Sequence, residues 1–420
     1  MPSAQDLQTA ESLIVKEPVK AVEKFKSIYQ NTTGVTDEDL KIKETCVIKL
    51  GDLYRDLKKS SDLATLISQS LPFLTTISKA KTSKIVKTLI DNFSDIPDAL
   101  PLQVKTCKET IDWAVAEKRI FLRQSLETRL CALYLHNKMY SESLALIDRL
   151  LKELKRLDDK NVLMEVQLLE SCVYHALRNL PKSRAALTSA RTSANSIYCP
   201  PLMQAAIDLQ SGILHAEEKD YKTAFSYFYE AMESFTSQED KRGMLGLKYM
   251  MLCKIMLNLP DDVHNITNGK LAIKHSGPDI EAMNAIATAL EHRSLQEFEQ
   301  VLQKYKAELS NDAIIRTHLA ALYDNLFEKN LLRIIEPFSR VEISHVAQLV
   351  KLPTAQVETK LSQMILDQVF SGILDQGAGG CLEVFEDSKN DKTYEASLAT
   401  IKNMENVVQS LYHKAGTLNL

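Results

Sequence analysis

The sequence predicts a mainly α fold: a right-handed α-solenoid of helical hairpins, then a winged-helix module, then one terminal helix. Helix breakers are scarce, since 12 Gly and 12 Pro make 24 of the 420 residues, against an ordinary share of about 12%. An apolar phrase recurs along the first half of the chain, and the order of elements changes near residue 331. Hydrophobic residues, at 45%, supply enough material for a buried core.

The recurring phrase is centred on a large apolar residue that precedes a short turn. Tyr134, Tyr174 and Leu214 follow one another at intervals of forty residues, and Tyr54 stands eighty residues before Tyr134. The turns that follow are 137–138, 178–179 and 218–219. A period of this length predicts stacked helical hairpins.

Small residues follow each turn, at Ser143, Ser183 and Ala224, and they allow two helix backbones to approach closely. Such a hairpin is apolar on two sides and is stable only when it stacks on its neighbours. The unit resembles the tetratricopeptide repeat, which is 34 residues long, but the helices expected here are longer than those of that repeat. We therefore expect a TPR-like α-solenoid over residues 1–225.

A different order of elements follows residue 331. A short β-branched run, 332–338, is stopped by Pro337, and a helix over 343–350 closes at Leu352. Thr354 is the expected N-cap of a second helix that Gly372 would end. Two strands, 373–375 and 381–385, are joined across 377–380. Helix, helix and hairpin in this order predict a winged helix over 331–388, preceded by a helical part over 226–330.

The terminal segment, 389–420, predicts one assembly helix. Its apolar residues alternate by three and four, a seam suited to a neighbouring helix. They are Leu398, Ile401, Met404, Val408 and Leu411.

The sequence contains no catalytic, metal-binding or cofactor-binding motif. The seven cysteines are scattered without a CxxC pair, which is typical of reduced thiols. The nine histidines occur singly, and no HExxH, P-loop or GxSxG pattern is present. His136, His175 and His215 recur near the repeat period, which indicates a repeated position at a helix end. We expect no enzymatic activity, no metal and no cofactor.

The N-terminal residues lack the basic start and apolar stretch of a secretory signal. No run approaches the ~20 apolar residues of a membrane helix. We expect a soluble intracellular protein, both cytoplasmic and nuclear, that does not bind membranes.

The predicted winged helix raises the question of nucleic-acid binding. Between Thr354 and Phe385 the only basic residue is Lys360, which stands against four acidic residues, for a net charge of −3. A helix that reads the major groove needs Arg or Lys for phosphates and bases. The module is better suited to another protein.

Two basic stretches remain in the solenoid. A solvated helix face is the simpler interpretation, and a docking patch for an acidic partner is the alternative. The residues are Lys79, Lys81, Lys84, Lys87, Lys118, Arg119 and Arg123.

Several long strings resemble a known family. They are 190–201 (ARTSANSIYCPP), 221–232 (YKTAFSYFYEAM), 248–258 (KYMMLCKIMLN), 334–340 (IIEPFSR) and 360–375 (KLSQMILDQVFSGILD). Together they look like the PCI-domain lid subunits of the 26S proteasome regulatory particle. The resemblance runs from about Lys79 to the C-terminus.

The resemblance implies a set of partners and contacts. In the PCI family the winged helices of several subunits associate edge to edge, and the terminal helix, here Tyr394–Lys414, joins a bundle of sister helices. The solenoid would reach past the ATPase base to the α subunits of the proteolytic core. The winged-helix positions that match the family's contacts are Ile343, Ala347, Leu349, Leu352, Val357, Leu361, Ile365, Gly372, Ile373 and Asp375.

The leading hypothesis is a non-catalytic scaffold that docks the lid, the ATPase base and the proteolytic core in ubiquitin-dependent protein degradation. One alternative is a PCI scaffold of a sister complex, either the signalosome or the translation-initiation scaffold. A nucleic-acid-binding winged-helix protein is a further alternative, which the acidic second helix disfavours.

Overall fold

The computed structural model describes residues 9–10, 13, 18–31, 37–96, 99–269, 277–292, 294–310, 312–375, 377, 380–385 and 392–418. They form two compact units, Met1–Cys253 and Lys254–Leu420. Both units are mainly helical, and none of the helices in these ranges has the length and apolar character that crossing a membrane requires.

The first unit is a series of helices of similar length. They are α1 (Pro18–Asn31), α2 (Asp37–Asp56), α3 (Ser60–Leu74), α4 (Lys79–Asp91), α5 (Leu100–Ala116), α6 (Ile120–His136), α7 (Tyr140–Leu157), α8 (Lys160–Ala176), α9 (Leu180–Asn195), α10 (Pro201–Glu217), α11 (Tyr221–Ser237) and α12 (Gly243–Met256), whose last three residues belong to the second unit. From α5 to α11 consecutive helices pack on one another, and α6 also contacts α8. Packing of each element on near neighbours only is the mark of a solenoid, so the predicted α-solenoid is confirmed.

The helices end in a recurrent turn built on a left-handed residue. After α5, Lys118 has φ 55°, and the Arg119 N–H donates to the Ala114 carbonyl oxygen at 2.9 Å. This bond satisfies a carbonyl that the helix end would leave unpaired, as in a Schellman motif. The same left-handed conformation occurs at Lys58, Lys138, Asp158, Arg178 and Lys219. From Lys118 to Arg178 the left-handed residue recurs about every twenty residues, so one such turn follows each helix in this part of the chain.

The predicted small residues lie where the helices of a hairpin meet. Ser143, Ser183 and Ala224 are all fully buried. The Ser183 hydroxyl donates to the Ser171 carbonyl oxygen at 2.8 Å, so it also ties α9 to α8. A larger side chain at these positions would push the two backbones apart.

The histidine interpretation is confirmed as well. His136, His175 and His215 each lie in the last turn of a helix. No cluster of His, Cys, Asp or Glu able to hold a metal ion occurs among the residues that the structure describes.

The second unit begins with helices of more varied length, from 5 to 23 residues. They are α13 (Pro260–Thr267), α14 (Pro278–Glu291), α15 (Leu295–Lys304), α16 (Lys306–Ser310) and α17 (Ala313–Ile335). The winged-helix module follows, as β1 (Arg340–Glu342), α18 (Ile343–Val350), α19 (Thr354–Leu366), β2 (Ser371–Asp375) and β3 (Cys381–Phe385). The chain then forms α20 (Lys392–Leu418).

The sheet of the module has three antiparallel strands in the order β1-β3-β2. Val341 lies opposite Leu382, and Gly372 lies opposite Val384. Leu382, Val357 and Leu361 are fully buried, so the sheet and α19 share one small core. The predicted order of helix, helix and hairpin is therefore confirmed, with β1 as a third strand that the sequence did not indicate.

Three local predictions for this region are wrong. The run 332–338 is not a separate β-branched element, because α17 continues to Ile335 and buries Leu331 and Ile335 four residues apart, at helical spacing. Thr354 is not the N-cap of α19 but its first residue, with Pro353 at the cap. Gly372 does not end α19: the helix stops at Leu366, and Gly372 pairs within β2.

The predicted boundary between solenoid and PCI region falls inside α11. Phe228 and Ala231, which follow the boundary at 225, are buried in the first unit. Residues 386–391, which include the predicted boundary between 388 and 389, lie outside the described residues. The domain limits remain predictions.

Candidate protein-interaction surfaces

The terminal helix α20 presents an apolar stripe to solvent. Every residue from 393 to 417 is exposed. The five predicted seam residues have exposed fractions between 60% and 66%: Leu398, Ile401, Met404, Val408 and Leu411. Complete burial of one such side chain contributes about 1.5–3 kcal/mol. The helix therefore gains much free energy if a partner covers this stripe.

Two tyrosines extend the stripe beyond the residues that the sequence analysis selected. Tyr394 is 76% exposed and Tyr412 is 81% exposed. Tyr394 precedes Ile401 by seven residues, as Ile401 precedes Val408. This heptad spacing is the signal that could have identified Tyr394 from the sequence.

The ten winged-helix residues divide into three groups by burial. Four are buried in the module's own core: Ile343, Ala347, Val357 and Leu361. Four are half-buried: Leu352, Ile365, Gly372 and Asp375. Leu349 and Ile373 are 50% and 55% exposed. Direct contact with another subunit is thus open to the second and third groups, whereas the buried four shape the surface from within.

Gly372 has a steric reason to be glycine. A Cβ at this position would lie 2.7 Å from the carbonyl oxygen of Glu383 on the neighbouring strand. Real Cβ atoms do not approach backbone oxygen so closely, so an alanine would force β2 away from β3. The residue keeps β2 in place at the edge of the described sheet, a position at which a further strand can pair.

The single cation of α19 is already engaged. Lys360 Nζ lies 2.7 Å from Glu328 Oε1, and the lysine side chain is only 13% exposed. It joins α19 to α17 and does not project into solvent. The described surface of α19 therefore offers no free basic group of the kind that phosphate contacts need.

The basic residues of the solenoid have different environments. Lys79, Lys84, Lys87 and Lys118 are exposed. Lys81 is exposed but forms an ion pair with Glu44 at 3.1 Å. Arg123 forms ion pairs with Glu153 and Glu127, which anchors α6 to α7. The structure thus assigns Arg123 a role in helix packing, and it brings Lys79 and Lys118 to one cleft.

Arg119 connects the two basic stretches. Its Nη2 donates to the Leu74 carbonyl oxygen at 3.3 Å, and the same oxygen accepts from the Thr82 hydroxyl at 3.0 Å. The guanidinium also lies over the Trp113 ring, 5.1 Å from its centre. The end of α3, the start of α4 and the start of α6 are thereby held together.

Burial suppresses the reactivity of several thiols. It raises the pKa of Cys46 to about 11 and that of Cys107 to about 12. It has the same effect on Cys131 and Cys253, whose pKa values are raised to about 12. Since the thiolate is the nucleophile, these cysteines are packing residues.

Three family models match the chain in succession. The 26S proteasome regulatory subunit RPN6 N-terminal domain matches residues 3–137. The PCI domain matches residues 302–386, and the 26S proteasome subunit RPN6 C-terminal helix domain matches 390–416. The fold and these matches define the chain as a PCI-domain protein with a helical N-terminal arm.

Relatives from three organisms extend over nearly the whole chain. The probable 26S proteasome regulatory subunit rpn6 of Schizosaccharomyces pombe is 53% identical over 100% of both chains. The 26S proteasome non-ATPase regulatory subunit 11 homolog of Arabidopsis thaliana is 51% identical over 98% of both. The 26S proteasome regulatory subunit RPN6 of Saccharomyces cerevisiae is 48% identical over 92% of this chain and 90% of its own. The chain belongs to the Rpn6 family of 26S proteasome regulatory subunits.

Proposed function

We propose that the protein is a non-catalytic scaffold of the 26S proteasome lid, which holds the lid, the ATPase base and the proteolytic core together. Its partners would be other PCI lid subunits, ATPase subunits of the base and α subunits of the core. It would act in the cytoplasm and nucleus. The proposal is supported by full-length relatives that carry the name of this regulatory subunit.

The observation that carries the proposal is the exposed stripe of α20. Ile401 and Val408 are both 63% exposed, one heptad apart. A helix this apolar on one face needs a partner, because water does not stabilise such a surface. Partner helices with the same heptad pattern would cover it, as in a helix bundle.

Multivalent docking is the proposed mechanism. The terminal helix, the open edge of β2 and the solenoid would each supply a modest contact. Linked on one chain, such contacts act at high effective concentration, so their combined affinity exceeds that of each alone.

A matched pair of variants of α20 tests the proposal. Ile401→Asp combined with Val408→Asp places two charges on the apolar stripe. The control, Asn403→Asp combined with Ser410→Asp, has the same spacing and added charge on the opposite face. We expect the control to co-purify with a tagged ATPase subunit and to migrate with the regulatory particle on a native gel.

The stripe variant should remain folded by circular dichroism, since α20 is exposed along its length. It should fail to co-purify, as should a chain that lacks residues 394–420. Normal incorporation of the stripe variant into the regulatory particle contradicts the proposal.

A further inference from the structure

A cleft in the solenoid lies where the start of α4 meets the turn between α5 and α6. Its volume is about 430 Å³. Lys79 and the consecutive residues Lys118, Arg119, Ile120, Phe121 and Leu122 are among its eight lining residues. This volume is within the range of about 300–1,000 Å³ in which proteins enclose ligand groups, and it is sufficient for one or two large side chains of a peptide.

The walls of the cleft are unusually apolar for a surface. Phe121 is 75% exposed and Ile120 is 53% exposed, while Leu122 beneath them is buried. Val115, at the end of α5, is a further 52% exposed. Contiguous exposed apolar side chains mark protein contact sites, and aromatic residues, Phe included, are enriched in the core of such sites.

The charge of the cleft is of one sign. Three of the lining residues are cations and none is acidic. Lys79 and Lys118 form no ion pair with any residue in the described ranges, in contrast to Lys81 with its Glu44 partner. The buried Nη1 of Arg119 also has no acceptor among those residues. Neither α4 nor α6 has an acidic residue in its first turn.

The rim is fixed in shape before any partner arrives. The bonds from Arg119 and Thr82 to the Leu74 carbonyl oxygen hold the two sides of the cleft together. A preformed site loses little conformational entropy on binding, which favours affinity.

A polyanion fits this cleft poorly. Nucleic acid and anionic membranes need an extended row of cations, whereas the formal net charge of the chain is −4. Three cations around an apolar wall match a short acidic segment with an apolar anchor.

We propose that this cleft binds an acidic peptide segment of a partner protein through one large apolar side chain, which packs on Phe121 between Lys79 and Lys118. This inference deepens the proposed function, since it specifies the chemistry of a segment that the solenoid arm docks. The apolar contact supplies affinity, and the lysines select an acidic sequence around the anchor.

Fluorescence anisotropy with three labelled peptides tests the inference on the full-length chain. The first probe has six glutamates around a central Phe, the second has the Phe replaced by Ser, and the third has the glutamates replaced by lysines. We expect the first peptide to bind at least about tenfold more tightly than either of the others. Its binding should weaken as salt is raised, because exposed charges are screened.

The chain offers matched control variants. Phe121→Ser with Lys79→Glu should weaken binding of the first peptide by at least about tenfold. Tyr198→Ser with Lys222→Glu alters an aromatic residue that is 88% exposed and an exposed lysine on α11, and it should leave binding unchanged. Thermal melts should agree for both variants and the parent chain, because all four side chains are at the surface.

Three outcomes overturn the inference: equal binding of the Phe and Ser peptides, equal effects of the two variants, or full competition by duplex DNA or anionic vesicles. None of these bears on assembly through α20. If the cleft variant still enters the regulatory particle while the peptide result is negative, the docking inference fails and the proposed scaffold function stands.

Discussion

Lys360 and Glu328 form an ion pair of 2.7 Å between α19 and α17. The lysine side chain is 13% exposed and the glutamate side chain 29%. In a winged helix, the second helix is the usual reader of a DNA groove. Here its single cation fastens the module to the helix before it, so this residue contributes to packing.

Replacement of this lysine should loosen the module. Lys360→Met leaves a half-buried carboxylate without its partner, at a cost of about 1–2 kcal/mol. Hydrogen exchange of the α19 amides, followed by mass spectrometry, should accelerate by roughly fivefold to thirtyfold. Lys351→Met removes a contact with Gln296 on the exposed surface and should leave exchange unchanged. Equal exchange in both variants contradicts a stabilising role for the pair.

Two positions one turn apart on α19 should respond differently to a charge. Leu361 is fully buried, whereas Ile365 is only half-buried. A buried unpaired carboxylate costs several kcal/mol, so Leu361→Asp should unfold the module. Ile365→Asp should lower stability by a smaller amount, because water can reach the carboxylate. Thermal melts show which of the two variants is less stable. Equal stability of the two, or a lower stability of Ile365→Asp, disproves the assigned faces of α19.

A glycine should stabilise the turn after α6. Lys138 has φ 60°, a conformation that costs a residue with a Cβ about 1–2 kcal/mol. Lys138→Gly removes this cost but adds disorder to the unfolded chain, so we expect a net gain of roughly 0.5–1 kcal/mol. The neighbouring Asn137 has φ −79°, and Asn137→Gly should instead destabilise. Urea unfolding shows whether each variant is more or less stable than the parent chain, and a loss of stability in Lys138→Gly refutes the expectation.

Glu127 gives the first unit a pH dependence. Burial raises its pKa above the ordinary 4.5, although Arg149 and Arg123 partly oppose the rise. The folded chain therefore holds this proton more tightly than the unfolded chain does. Its contribution to stability is largest below the ordinary pKa and declines as pH rises through the raised pKa.

Glu127→Gln removes that titration. The stability of the variant relative to the parent chain should thus improve as the pH is raised from about 4 to 7. Urea midpoints at several pH values measure this difference. Glu109→Gln, at an exposed position on α5, serves as the control. If the stability of Glu127→Gln relative to the parent chain instead falls as the pH is raised, the cause given for the pKa shift is contradicted.

The sequence predicted the solenoid well because its signals are local. The recurring Tyr134 and Tyr174 and the small residues after each turn give both the helices and their packing. The end of α19 was not predictable in this way. Gln368, with φ 57°, takes the left-handed position that is usually occupied by glycine, while the true glycine, Gly372, is needed for close approach of two strands.

The candidate sites were predictable in composition but not in exposure. Leu361 and Leu398 have similar apolar spacing in the sequence, yet the first is fully buried and the second is 64% exposed. Periodicity identifies an apolar face but not what covers it. Lys79 and Lys118 share a cleft only because of the hairpin packing between them, which depends on contacts distant in sequence.

The left-handed turns of the solenoid constrain how the chain can change length. Several connections, such as those after α5, α6 and α8, close on one left-handed residue and a hydrogen bond that spans it, as from the Asn179 N–H to the Tyr174 carbonyl oxygen at 2.9 Å. A turn of this kind cannot accommodate an extra residue without losing that hydrogen bond. One residue inserted inside a helix rotates every later side chain of that helix by about 100°. The reach of the arm can therefore change by complete helical hairpins without disturbing these turns, whereas a single-residue insertion at one of them disturbs the packing of the helices that it joins.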